Sequence, residues 1–241
     1  MRFLLNIGNS NTQVARELAC GGLELTAILP TSQIERLGCV DFLEQETENW
    51  QAVAACVVPS VQKKLQNRYP GKILFLSAAS YPDIDFSFYD IQTLGADRIA
   101  NAAAARALKI GAVLVVDCGT CITTEAIDGN GVFRGGAILP GRTMLRRSLA
   151  AFTAQLPEIP LTEECPLPLG KTTVQAIAAG VDLGVIGAVR EIIAKTKQEP
   201  ALAHCRVIVI GGDAAYFVAN ISELEPGTPH FTLQGIRLAK G

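Results

Sequence analysis

Apolar residues come in two rhythms along this chain. Short, dense apolar runs closed by turn residues predict buried strands at Phe3–Ile7, Ala52–Val58, Lys72–Ser77 and Val207–Ile210, with a further strand near Thr12–Arg16. Wider spacing predicts helices over Ser32–Gln45, Ser60–Arg68 and Thr143–Leu156, and a helix, continuous or broken, over Thr173–Lys197. Another helix starts at or just after Asp97 and runs to about Lys109, because six alanines lie between Ala100 and Ala107 and alanine is the best helix former. Tyr81–Thr93 reads as an aromatic-bearing loop, and Pro157–Leu169, with four prolines, as irregular. Strands alternating with helices in both halves argue for an α/β fold. The natural division is a lobe of residues 1–109 and a lobe of residues 110–241.

One device occurs twice. FLLNIGNSNTQVARE (Phe3–Glu17) and LVVDCGTCITTEAID (Leu114–Asp128) align without a gap. In each, apolar residues run into a polar residue (Asn6, Asp117), then Gly (Gly8, Gly119), then an amide or hydroxyl (Asn9, Thr120) and a matched Thr (Thr12, Thr123). That pattern predicts strand, tight turn, strand. Glycine leaves a turn bare enough for a ligand to lie against its backbone N–H groups. Two such turns, one per half, are expected to face a common cleft and grip a polyphosphate.

Composition narrows the field. The 241 residues carry a net charge of −2, and no Lys/Arg run is present, which argues against a nucleic-acid or anionic-membrane partner. Met1–Leu5 has no signal-peptide pattern, and the apolar stretch Ala176–Val189 is too short to span a bilayer and contains Asp182. The expectation is a soluble, cytoplasmic protein. Seven cysteines without an export signal do not suggest a disulfide framework. Cys118 and Cys121 form a lone C-x2-C far in sequence from His204 and His230, and read as small residues of a turn and strand rather than a redox or metal pair.

Other motifs are open on spacing alone. Gly170-Lys171-Thr172 lacks the first glycine of a Walker loop, and no G-x-G-x-x-G follows a strand. Gly95-Ala96-Asp97-Arg98 precedes the alanine helix. Asp97 is equally a helix cap or a base, and Arg98 an anion clamp beside it. Gly211-Gly212-Asp213 after a strand is equally a helix-entry turn or a place where a flat base approaches the backbone.

The order of motifs resembles the type III pantothenate kinases, members of the acetate and sugar kinase, heat-shock protein and actin superfamily. The resemblance rests on NIGNSNT near the start, GADR followed by Asn101, DCGTCIT, GGAILPG, AFTAQLP, GKTT and a late IGGDA. It implies two RNase H-like lobes of the actin-like ATPase kind with a nucleotide cleft between them. It also implies phosphorylation of pantothenate by ATP with Mg²⁺ and a monovalent cation (K⁺ or NH₄⁺), in a homodimer, as the first committed step towards coenzyme A. Carried over by position, Asn6, Ile7, Gly8, Asn9, Ser10, Asn11, Thr12 and Gln13 form the first ATP phosphate segment, and Thr120 contacts ATP. Gly95, Ala96, Asp97 and Arg98 contact pantothenate with Asp97 as catalytic base, Thr173 and Tyr89 are further substrate contacts, and Asp117 holds the monovalent cation. Three positions depart from the family pattern: Asn6 stands where it ordinarily has Asp, Cys121 for a usual Ala, and Thr172 for the Asn of GKNT. The alternative reading is a nucleotide- or pantothenate-binding regulator of the same fold.

Overall fold

A computed structural model describes residues 1–19, 21–46 and 49–240. They form two compact units, one of Met1–Lys109, Gly131–Phe133 and Pro229–Gly241, the other of Ile110–Asn130 and Arg134–Thr228.

The first unit is built on a five-stranded sheet of β1 (Arg2–Ile7), β2 (Asn11–Glu17), β3 (Leu23–Pro30), β4 (Gln51–Cys56) and β5 (Ile73–Phe75), in the order β3-β2-β1-β4-β5. β1 to β3 form an antiparallel meander, and β4 and β5 add in parallel on the other side of β1. Phe3, Leu5 and Ile7 point to one face, where they pack with Val14, Ile34, Ala54, Val61 and Leu65. Leu4 points to the other face and is equally buried. A strand covered on both sides reads as an unbroken apolar run, which is why β1 and β4 are visible in the sequence. β3 is not: as an edge strand it is only partly covered, with Ile28 57% exposed, and shows no clean alternation.

The helix expected over Ser32–Gln45 is two, α1 (Thr31–Leu37) and α2 (Asp41–Glu44). Gly38 ends the first in the left-handed conformation, φ 71°, its N–H returning to the Ile34 carbonyl. α3 (Pro59–Arg68) opens on proline, whose missing N–H costs nothing in the first turn. α4 (Ala96–Ala107) is the alanine helix. Residues 81–93 contain no helix or strand, as expected.

The second unit repeats the plan. Its sheet contains β6 (Val113–Cys118), β7 (Cys121–Ile127), β8 (Phe133–Gly135), β9 (Ile138–Pro140), β10 (Arg206–Ile210) and β11 (Leu224–Pro226). The order is β11-β10-β6-β7-β8, with β9 also on β7. β6–β7 is an antiparallel hairpin, and β10 and β11 add in parallel. Each sheet thus has the mixed, RNase H-like arrangement of an antiparallel hairpin extended by parallel strands. α5 (Arg142–Phe152), α6 (Thr173–Thr196) and α7 (Ala214–Asn220) complete the unit. α6 is one continuous helix of 24 residues despite Gly180, Gly184 and Gly187, and residues 153–172 before it are irregular. No helix among the described residues is long and apolar enough to cross a membrane.

The last helix, α8 (Phe231–Arg237), belongs to the first unit, where it packs on α4 and β1. Two polar ties fix it: Thr232 Oγ1 donates to Asn101 Oδ1 at 2.8 Å, and the Tyr81 hydroxyl donates to the Gly235 carbonyl at 3.0 Å. Gly235 lies against the Ala100 backbone so closely that a Cβ would overlap its carbonyl oxygen. Backbone cannot move aside as a flexible side chain can. Gly235→Ala is therefore expected to destabilise the protein by about 1–3 kcal/mol, the usual range for overpacking, read as a lowered urea midpoint.

Candidate active site

In the first unit, the β1–β2 turn is closed by its own backbone: Gly8 N–H donates to the Asn11 carbonyl at 3.0 Å. Thr31, at the start of α1, braces it from outside. Its hydroxyl donates to the Gly8 carbonyl at 2.7 Å and lies 3.0 Å from the Thr12 hydroxyl, while its N–H donates to Ser10 O at 2.9 Å. Thr12 and Thr31 are buried, as is Ile7, so Thr12 and Ile7 shape the turn from within. Asn9, Ser10 and Asn11 are exposed at its tip, and Gly8 is half-buried. Asn6 and Gln13, also half-buried, face each other across the strand pair. Thr31, which sequence reasoning missed, carries no signal beyond a hydroxyl after Pro30.

The Gly95–Arg98 segment begins α4. Gly95 takes the cap position, so Asp97 lies within the first turn and is not the cap. Its Oδ1 accepts the Arg98 N–H at 2.7 Å. A Cβ on Gly95 would stand 2.7 Å from that same oxygen, so glycine is what leaves room for the carboxylate here. Burial pushes the Asp97 carboxyl up from its ordinary value, and the neighbouring Arg98 N–H and charge only partly oppose it. Arg98 itself is 4% exposed. Its Nη1 donates to the Tyr89 hydroxyl at 3.1 Å, and its guanidinium carbon lies 5.7 Å from the Tyr89 ring and 6.0 Å from the Phe133 ring. Tyr89 and Phe133 meet edge to face at 5.3 Å. The structure therefore gathers Tyr89 and Gly95–Arg98 into one cluster, with an aromatic wall fixing the arginine beside a carboxylate of raised pKa. Asn101, by contrast, faces α8.

In the second unit, Asp117 is next to last in β6, opposite Thr123, and Gly119–Thr120 connect β6 to β7. The tip is closed by one bond of its own and by two other segments. Gly119 N–H donates to Cys121 O at 2.9 Å, Gly141 N–H donates to Thr120 O at 3.0 Å, and Asp213 N–H donates to Cys118 O at 3.0 Å. A Cβ on Gly141 would lie 2.7 Å from Thr120 O. Gly211, at φ 95°, is as constrained: a Cβ there would come 2.5 Å from Cys118 O and 2.6 Å from Asp117 Oδ1. Gly141 of GGAILPG and Gly211 of IGGDA thus let two links close on the DCGT turn. Cys118 is buried in the core, and burial raises its thiol, as expected of a small core residue. Burial also raises the Asp213 carboxyl, with the Arg142 charge opposing.

Thr173 is exposed at the start of α6, which Thr172 caps by accepting the Gln175 N–H at 3.2 Å. It lines an apolar groove of about 510 Å³ with Leu145, Leu149, Ile177 and Gly180. Asn6–Gln13, Tyr89 and Gly95–Arg98 therefore belong to one unit, and Asp117, Thr120 and Thr173 to the other. Sequence reasoning missed a buried ionic cluster of Arg142, Arg146 and Asp182. Its one signal was Asp182, a single carboxylate in an otherwise apolar helical stretch.

The type III pantothenate kinase family matches residues 2–195. A type III pantothenate kinase from Akkermansia muciniphila is 33% identical over 100% of this chain and 99% of its own length. Another, from Endomicrobium trichonymphae, is 35% identical over 76% of this chain and 71% of its own length. Among solved structures, MreB 5 of Spiroplasma citri bound to AMPPNP has a TM-score of 0.52 at 11% identity, covering 98% of this chain and 93% of that one. That likeness is one of fold and assigns both sheets to the actin-like class.

Proposed function

The chain belongs to the type III pantothenate kinase family, and we propose that it transfers the γ-phosphoryl group of ATP to the terminal hydroxyl of pantothenate with Asp97 as base. The observation that carries this reading is the Asp97–Arg98 pair, a half-buried carboxylate of raised pKa next to a guanidinium held by Tyr89. A base whose pKa is raised from that of an ordinary carboxylate takes the proton of the attacking alcohol more readily. Arg98 supplies the charge that positions anionic pantothenate, with Gly95, Ala96 and Tyr89 shaping its surroundings and Thr173 a further contact.

Phosphoryl transfer asks a protein mainly for positioning and charge stabilisation. Asn6–Gln13 and Thr120 serve the phosphates, the exposed tip of the first turn through Asn9, Ser10 and Asn11. Asp117 is the hard oxygen donor for the monovalent cation. Mg²⁺ is ordinarily held by one or two carboxylates plus substrate phosphates, so a site with few protein ligands suits it. When bound, the cations neutralise charge on the phosphates. Asn6 offers an amide oxygen where the family ordinarily has a carboxylate, so this chain contributes one charge fewer.

We assign the homodimer to the α5–α6 side of the second unit. Phe152 at the end of α5 and Leu167 and Leu169 in the segment leading to α6 are 88%, 81% and 83% exposed, and Met144 of α5 and Val174 of α6 are exposed too. Large exposed apolar patches mark association surfaces, and a second copy of the chain presents the same one. Light scattering is expected to give twice the chain mass, and Leu167→Glu with Leu169→Glu the single mass; a monomeric wild type removes the assignment.

ADP release is to be followed with purified protein, ATP, Mg²⁺, K⁺ and pantothenate, with other small alcohols as controls; release without pantothenate, or with the controls equally, overturns the reaction. Asp97→Asn is expected to cut kcat/KM by about 10²–10⁴-fold. Because Asp97 must be ionised to act and its pKa is raised, the acid limb of the wild-type profile should lie above the ordinary aspartate value of 3.8, with activity lost as pH falls through it. Near-wild-type turnover by Asp97→Asn removes it from the mechanism. Asn6→Asp is expected to tighten Mg–ATP binding, seen as a lower KM for ATP; an unchanged or higher KM shows that the missing charge is compensated.

A further inference from the structure

Buried charges in the second unit form a chain that ends at the DCGT turn. Asp182, fully buried in the middle of α6, accepts from Arg142 Nε at 3.1 Å and Nη2 at 3.2 Å, and from Arg146 Nη2 at 2.7 Å. Arg142 Nη2 also donates to the Thr162 carbonyl at 2.7 Å, and Arg146 donates to the Pro160 carbonyl. The Arg142 guanidinium carbon stands 3.5 Å from the centre of the Tyr216 ring. Its Nη1 lies 3.7 Å from Asp213 Oδ1. Arg142 and Arg146 are 2% and 1% exposed, and only Asp213 reaches solvent appreciably.

Stability alone is a poor explanation of this cluster. Taking three charges out of water offsets most of their mutual attraction, and well-packed apolar residues often do as well or better. Geometry explains it better. A guanidinium held by a two-pronged carboxylate contact, a backbone carbonyl and an aromatic ring has one orientation. Its remaining arm then fixes where Asp213 stands. The Asp213 N–H is bonded to Cys118 O, and two residues earlier Gly211 presses on Asp117 Oδ1 with no room for a Cβ. Arg142 directly follows Gly141, whose N–H donates to Thr120 O, so it adjoins one link in sequence and meets the other through Asp213.

We propose that Arg142, anchored by Asp182, is a positioning residue for ATP: it fixes Asp213, and through it the Gly211 turn, against Asp117. Arg142 does not itself touch the nucleotide. The inference rests on the reading that Thr120 contacts ATP and that Asp117 holds the cation that neutralises its phosphates, and it predicts a loss confined to that substrate.

The test compares Arg142→Met, Arg142→Lys and Asp213→Asn with wild type by steady-state kinetics for each substrate, titration with a fluorescent ATP analogue and urea unfolding. Arg142→Met is expected to raise the ATP KM and the analogue Kd about tenfold, within the range by which residues outside a site modulate binding, with the pantothenate KM unmoved. Arg142→Lys should recover part of the loss, since charge returns without the fork. Asp213→Asn should weaken ATP binding at an unchanged urea midpoint, because it breaks only the exposed end of the chain. An unchanged analogue Kd in both Arg142→Met and Asp213→Asn, or a parallel rise in both KM values with a lowered midpoint, overturns the proposal. Should Arg142→Met fail to fold, Asp213→Asn decides alone: wild-type analogue affinity sinks the idea. If wild type binds the analogue but releases no ADP with pantothenate, the reaction assignment fails while the binding titrations still judge Arg142. If wild type binds no analogue, both fail.

Discussion

Both candidate phosphate turns hang from strands that cannot move. β1 and β6 are central in their sheets, paired on both edges, and buried along most of their length. Sliding either by one residue would turn Phe3, Leu5 and Ile7, or Leu114 and Val116, away from the residues they pack with, so register is strongly fixed. Everything at the ends of these strands inherits that rigidity. Asn6 and Asp117 are placed by the cores behind them, and the glycine turns that follow are closed by backbone bonds and neighbouring segments rather than by long side chains.

The two turns are secured differently. The first relies on hydroxyls: Thr31 and the buried Thr12 hold a turn whose tip stays exposed. The second is a tighter connection, fixed by glycine contacts at Gly141 and Gly211 and by Asp213, with an ionic cluster behind them. A neutral hydroxyl brace and a charged brace respond unlike one another to salt and substitution, because hydroxyl bonds need only geometry while a buried charge must stay compensated. The Asp97–Arg98 pair uses a third device. Glycine clears space for the carboxylate, burial raises its pKa, and Tyr89 and Phe133 hold the cation beside it.

Much of this was legible in the chain. Strands buried on both faces announce themselves as apolar runs, and the alanine helix and the proline-bearing segment are signalled by composition. The paired N/D-x-G turns were visible as a repeat, as was the order of motifs that names the family. The edge strand β3 and the short elements β11, α7 and α8 were not. They are partly exposed or too short for periodicity to register, and their placement depends on partners far along the chain. The break in the Ser32–Gln45 helix required knowing that Gly38 would adopt a left-handed conformation, which sequence permits but does not demand.

Local sequence by itself therefore marked the strands buried on both faces and the paired glycine turns, because glycine and burial on both faces act over a few residues. It also identified the family, since its motifs are contiguous. Tertiary structure alone decided that Asp97 lies inside its helix with its pKa raised, that Arg98 meets Tyr89, and that α8 returns to the first unit. It likewise brought together Arg142, Asp182 and Asp213, distant in sequence, because the energy of a buried charge depends on what surrounds it in space and not on its neighbours in the chain.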